Sequence, residues 1–453
     1  MGAREVQTDC AQHHPETPLP HGPDRSDHAY HEPSLTPPDP YDPSMKVVVI
    51  GAGVMGAWTA RWLRRGGHAV TLIDRYGAGN DVGSSGDVSR VTRSSHGPDR
   101  HYPIWQRLAL DQWRELERTA DRPLFVQSGV VWLANERQSF EVDSLASLAA
   151  LGIPVERWSH DEFAARVPAM SADGVPWALF EPEAGALLAR QAVTATIEAF
   201  RAEGGEVVTA RVEPLPAPAA LVGGAGALGP GLGGLDRIVL EGGRSLAADA
   251  FVFACGPWLP ALFPELLGDL IVTHRQDVMQ FAVPPGDSRF GPDRLPIWID
   301  FEGSFYGFPS LDGVALKACP DWLGPVEAPD DSARVVADSS IEASRTVLRR
   351  RFPAIADRPV VKTWTCFYEV TPDAHFVIDR HPGLENAWIA GGGTGHAFKH
   401  GPVIGEYLAA LVTGDAAKAA RLAPPDDRFA IRPRDASQSF RTSGRRPADL
   451  ETS

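Results

Sequence analysis

The stretch Lys46-Val-Val-Val-Ile50-Gly51-Ala-Gly53-Val-Met-Gly56 decides the fold. Four apolar residues in a row follow the lysine, the pattern of a short strand buried on both faces. Three glycines then mark a turn, and Ala57–Arg65 reads as a helix. A second apolar run, Ala69–Ile73, ends just before Asp74. Strand, glycine turn, helix, strand and an acidic residue about 20 positions on together make the fingerprint of a dinucleotide-binding unit. Gly51 permits the tight turn, Gly53 lets backbone approach a pyrophosphate, and Gly56 lets the helix pack closely on the strand. The helix N-terminus offers unpaired N–H groups to phosphates, and Asp74 would accept hydrogen bonds from ribose hydroxyls. The motif by itself does not separate NAD from FAD.

Outward from this unit the apolar pattern keeps alternating. A helix is expected near Arg190–Glu203, strands near Glu206–Val212, Arg237–Leu240 and Ala250–Ala254, and a closing helix over Val403–Val412. Residues 123–186 and 266–359 place Trp, Phe and Tyr on alternating stretches, as in an antiparallel sheet. The chain of 453 residues exceeds one hydrophobic core. The expected fold is therefore α/β with two lobes. A Rossmann-type nucleotide lobe takes residues 46–122, 187–265 and 360–432, and a substrate lobe of antiparallel sheet plus helices takes 123–186 and 266–359. Residues 1–44, rich in Pro, His and Asp, hold too little apolar surface to repay ordering and read as a disordered tail. Residues 433–453 read as a second loose tail, and Ala217–Gly234, rich in Gly, Ala and Pro, as a mobile loop.

Charge and cysteine usage narrow the function. The net charge of −15 repels phosphate backbones and anionic lipid, so no nucleic-acid or membrane partner is expected. No apolar run reaches the roughly 18–20 residues that span a bilayer, and the N-terminus lacks the apolar core of a secretory signal. The four cysteines, Cys10, Cys255, Cys319 and Cys366, form neither CxxC pairs nor a disulfide framework, which fits the reducing cytoplasm. No HExxH or clustered Cys/His spacing points to a metal.

Five further segments carry a resemblance. They are Gly83-Ser-Ser-Gly-Asp-Val-Ser-Arg90-Val-Thr-Arg93, Ala254-Cys-Gly-Pro-Trp258, Tyr306-Gly-Phe-Pro-Ser-Leu-Asp-Gly-Val-Ala-Leu-Lys317, Thr365-Cys366-Phe-Tyr368-Glu369-Val-Thr-Pro-Asp373 with Ala-His375-Phe-Val-Ile-Asp379 after it, and Gly391-Gly-Gly393-Thr-Gly395-His396-Ala-Phe-Lys399. In this order they resemble the monomeric sarcosine oxidase and N-methyl-amino-acid oxidase branch of the D-amino-acid-oxidase-like flavoproteins, from about Lys46 to Arg432.

The resemblance implies FAD as cofactor, joined through a thioether from Cys366 to the flavin 8α-methyl carbon. Thioether formation needs a thiolate and hence an electropositive setting. Gly393, Gly395 and Arg90 would contact the cofactor. Lys317 would activate oxygen, because a fixed cation stabilises developing superoxide. Arg93 and Lys399 would bind the carboxylate of a small amino-acid substrate, the guanidinium through paired hydrogen bonds. Tyr306 and Tyr368 would flank the amine, and His375 and His396 would pack or touch the flavin. The implied reaction is hydride transfer from the carbon beside a secondary amine to the flavin, followed by re-oxidation by molecular oxygen to hydrogen peroxide, in a monomer. A cyclic imino-acid oxidase, a pathway-specific amino-acid oxidase, a dehydrogenase with another acceptor and a flavin-binding scaffold without turnover are the alternatives. Three residues depart from the family: Ala397 replaces a glycine, Glu369 a small polar residue, and Asp321 a histidine. Glu369 or Asp321 is expected to fit the substrate pocket to a larger or more basic substrate.

Overall fold

The computed structural model describes residues 44–135, 139–215 and 233–436. The bulk of the N-terminal tail, the Gly/Ala/Pro-rich loop, Cys10 and the end of the C-terminal tail lie outside the described residues.

Lys46–Ile50 forms the central strand of a six-stranded sheet. Ala69–Asp74 and Ala250–Phe253 flank it in parallel, Glu206–Thr209 and Ala387–Gly391 extend the parallel order outward, and Val377–Arg380 closes one edge antiparallel. Its inner strands are largely apolar because both faces of the sheet pack into core clusters. The first helix spans Val54–Arg65, three residues earlier than the apolar periodicity suggested. The glycine turn passes directly into it, with Gly53 extended at the N-cap.

That helix packs beneath the sheet against the closing helix Gly401–Thr413. Contact is backbone to backbone: a Cβ on Gly405 would lie 2.6 Å from the carbonyl carbon of Trp58. The 20-residue helix His101–Ala120 braces both, with Trp113 edge-on to Trp58 at 5.2 Å. Gly414, in the left-handed region, stops the closing helix.

The second sheet has eight strands in the order 360–370, 272–282, 315–320, 305–308, 297–300, 130–134, 177–181 and 156–159. All neighbours are antiparallel except Val130–Ala134 beside Ile297–Asp300, which run parallel. Val360–Val370, placed with the nucleotide lobe in the sequence reading, is hydrogen bonded along Val272–Ala282 and so belongs to this sheet. Its partner is about 90 residues away in the chain, and local pattern carries no trace of such pairing. Trp298, Phe281, Phe305 and Leu316 fill the core under the sheet. Arg90–Thr92, Gly185–Leu187 and Phe125–Val126 form a separate three-stranded antiparallel sheet.

The helix contact yields a stability prediction. Gly405→Leu should cost about 1–3 kcal/mol or more by overpacking, read as a lowered thermal midpoint. Gly383→Ala, whose added Cβ meets only ordinary contacts of 3.5 Å, should leave the midpoint where it was.

Candidate active site

Two cavities meet where the sheets face each other. The larger, about 310 Å³, is lined by residues that include Asp74, Arg75, Tyr76, Tyr368, Glu369 and Phe398. The smaller, about 80 Å³, is lined by Arg93, Tyr306, Asp321, Cys366 and an aromatic wall of Trp132, Phe140, Phe301 and Phe308. Arg90, Tyr368 and Gly395 belong to both linings, so the cavities share a wall.

The glycine turn forms the floor of the larger cavity. Gly51 has φ +100°, a conformation open to glycine, and a Cβ there would collide with the Ala254 carbonyl oxygen at 2.3 Å. A Cβ on Gly56 would sit 1.9 Å from the Gly51 carbonyl oxygen. Gly53, at the helix N-cap, leaves the backbone bare beside Ser85. Asp74 accepts from the backbone N–H of Ala52 at 2.9 Å and of Tyr76 at 2.8 Å. Burial raises its pKa and those N–H groups oppose the rise. Asn80 Nδ2 also donates to Asp74 at 3.2 Å, so ribose hydroxyls would share its roughly four acceptor positions with protein donors. Bare turn, helix N-terminus and carboxylate fit the phosphates and ribose of a dinucleotide.

Over this floor lies the loop after the second strand. Its Ser85 hydroxyl accepts from the Val54 N–H at 3.0 Å, and its Ser84 hydroxyl donates to Glu369 at 2.7 Å. Asp87 is the hub, with its side chain fully buried. It accepts from Lys317 Nζ at 2.8 Å, from Trp364 Nε1 at 3.1 Å and from Arg90. Burial and the Arg90 charge draw the Lys317 ammonium down to about 7, while the Asp87 carboxylate in contact with it works the other way.

The sequence-derived residues separate into two groups. Tyr306, Tyr368, Cys366 and Arg93 meet on the smaller cavity, with the Tyr368 hydroxyl donating to Asp321 at 3.2 Å. Burial and the nearby Tyr368 push the Tyr306 hydroxyl well above its usual pKa. Gly393 and Gly395 line the larger cavity. Lys317 and Lys399 line neither. Lys317 stands behind Phe308, 4.8 Å from its ring centre, and Lys399 is buried with Nζ donating to the His396 carbonyl at 2.8 Å.

Glu369 and Asp321 fall on different cavities. Glu369 lines the larger cavity and not the smaller, so of the two residues expected to tune the substrate pocket only Asp321 is on its wall.

Other residues escaped the sequence reading. Buried Glu181 accepts from the Ser95 hydroxyl at 2.6 Å and from Trp132 Nε1 at 2.9 Å, fixing the loop that carries Arg93 to the aromatic wall. His96, His396 and His400 converge with one nitrogen of each inside 4.8 Å. Burial holds His96 and His400 well below their usual pKa, and the Arg93 and Lys399 charges push the same way. Those same charges oppose a bound dication. His396 and His400 are four residues apart, but His96 lies 300 positions away and no sequence spacing links it to them.

This architecture is that of a dinucleotide-binding α/β oxidoreductase whose nucleotide cavity opens onto a small polar-and-aromatic pocket. The family model described as FAD dependent oxidoreductase (DAO) matches residues 46–411, and the chain belongs to that family. It is 31% identical to a monomeric sarcosine oxidase of Streptomyces avermitilis, over 83% of this chain and 95% of the relative. It is 27% identical to an N-methyl-L-tryptophan oxidase of Salmonella dublin, over 81% of this chain and 94% of that protein. The fold also matches the L-proline dehydrogenase of P. horikoshii with a TM-score of 0.70 at 19% identity, over 82% and 94% of the two chains. Among the described residues no helix is long and apolar enough to cross a membrane.

The Asp87 hub can be tested by a double-mutant cycle. Asp87→Asn leaves the buried Lys317 and the half-buried Arg90 without their carboxylate and should cost about 3–5 kcal/mol. Asp87→Asn with Lys317→Met should recover part of that loss in thermal unfolding. Strict additivity of the two changes would show that the pair is not coupled.

Proposed function

We propose that the chain is an FAD-dependent oxidase of a secondary amino acid, N-methyl or related, that acts on the CH–NH bond and uses molecular oxygen as electron acceptor. The observation that carries this reading is the shared wall. Tyr368, Arg90 and Gly395 bring the nucleotide cavity against a pocket furnished with a guanidinium, two tyrosines and a buried thiol. The relatives named above, oxidases of sarcosine and N-methyl-L-tryptophan, support the same chemistry. When bound, the flavin supplies two-electron acceptance from carbon and delivery of electrons to oxygen.

The protein's share is positioning and charge. Gly51, Gly53, Gly56 and Asp74 would hold the nucleotide end, and Gly393, Gly395 and Arg90 the flavin end. Cys366, buried on the wall of the smaller cavity, would carry the covalent link to the flavin. Arg93, stacked over Trp132 at 4.9 Å, would take the substrate carboxylate, and the aromatic wall would take an apolar side chain. Tyr306 and Tyr368 would flank the amine, with Asp321 behind Tyr368. Lys317 and Arg90 against the single Asp87 leave net positive charge beside the pocket, which would stabilise developing superoxide. Lys399 would act on the substrate carboxylate through the pocket's field, since its ammonium is held by His396.

Two measurements test this. Peroxide formation should be screened over N-methyl and cyclic amino acids. Arg93→Met should raise KM for the active substrate about ten- to a hundredfold, the worth of charge-assisted hydrogen bonds. It should spare the matching amine that lacks a carboxylate. Lys317→Met should slow reoxidation by oxygen about 10²-fold while leaving anaerobic reduction by substrate nearly intact. Fast dye reduction with slow oxygen uptake in the unaltered protein would instead mark a dehydrogenase. Equal loss of both half-reactions in Lys317→Met would remove the oxygen role from that residue.

A further inference from the structure

Glu369 is a buried acid on the wall of the nucleotide cavity, at a strand position next to Tyr368. Its surroundings include glycines from two parts of the chain. A Cβ on Gly256 would come within 3.2 Å of Oε1, and one on Gly391 or Gly393 within 3.9 Å of Oε2. Glycine backbone therefore lies beside the carboxyl, most tightly at Gly256. The Ser84 hydroxyl donates to Oε1 at 2.7 Å, and the Gly393 N–H also supports the charged form. Among the described residues no Lys or Arg is paired with it. A carboxylate offers about four acceptor positions, so two remain for a ligand in the cavity.

The chemistry of that ligand follows from charge. A carboxylate without a cation repels a diphosphate, which suits the helix N-terminus at the Gly53 floor instead. Neutral hydroxyl donors are what it attracts. Glu369 follows Tyr368 in the strand, and Tyr368 and Gly395 are residues that the cavity shares with the smaller pocket. Resting on the reading that this cavity takes FAD, we infer that Glu369 is a cofactor-binding residue whose carboxylate accepts hydrogen bonds from the hydroxyls of the flavin's ribityl chain. Burial raises its pKa above the usual carboxylate range. Binding that depends on the ionised form is present at higher pH and lost as pH falls through that raised pKa.

The test uses the full chain with Cys366→Ser, so that flavin is exchangeable, stripped of cofactor and titrated with FAD, FMN and AMP by fluorescence and calorimetry. Glu369→Thr should weaken FAD and FMN about ten- to a hundredfold and leave AMP unchanged. Glu369→Gln should weaken them less, because the amide oxygen still accepts, and should flatten the fall in affinity toward low pH. Unchanged FAD affinity in Glu369→Thr overturns the inference. So does an equal loss for AMP, which would show damage to the whole cavity. If the Cys366→Ser parent and the unaltered chain both fail to take FAD, the cofactor reading itself falls and takes this inference with it.

Discussion

One carboxylate, that of Asp87, ties the loop after the second strand to the eight-stranded sheet. It is buried with Lys317, Arg90 and Trp364 around it, and these come from three separate parts of the chain. The buried Lys317 ammonium would cost several kcal/mol without an anion, so Lys317 and Asp87 are buried as a pair. The same loop presents Ser85 to the first helix and Ser84 to Glu369. Displacing Asp87 would therefore disturb the phosphate floor, the flavin end and the cationic surroundings of the pocket together. Three adjacent functions hang on one loop because one buried charge fixes its position.

The nucleotide half of the fold was legible because its constraints fall on single residues. Gly51 must be glycine at φ +100°, and Gly56 must be glycine to clear a carbonyl, so composition records the geometry. The eight-stranded sheet was legible only as a sheet. Alternation tells which face of a strand is buried, not which strand lies beside it. Hence the parallel pairing of Val130–Ala134 with Ile297–Asp300, and the recruitment of Val360–Val370, came from the structure.

The site divides in the same way. Arg93, Tyr306, Tyr368 and Cys366 lay in segments whose likeness to a known family could be read, and they share one cavity wall. Asp87, Glu181 and Trp364 are polar groups satisfied by partners far along the chain, and nothing local distinguishes them from surface residues. The side of the strand that Glu369 faces was within reach of the sequence. Successive strand residues point to opposite faces, so a glutamate directly after Tyr368 belongs on the nucleotide side. Lys317 and Lys399 show the limit of motif transfer: both are deeply buried near the pocket, yet their ammonium groups meet a carboxylate and a carbonyl before they meet the cavity.

The central claim is that the larger cavity holds FAD with its reactive end against Cys366. The most direct measurement is acid denaturation of the purified protein, followed by a visible spectrum and intact mass of the polypeptide. The account predicts yellow precipitate carrying the added mass of FAD on a peptide containing Cys366, and loss of that mass in Cys366→Ser. Flavin left wholly in the supernatant would contradict the covalent link. A protein that retains no flavin, even after incubation with FAD, would contradict the claim itself.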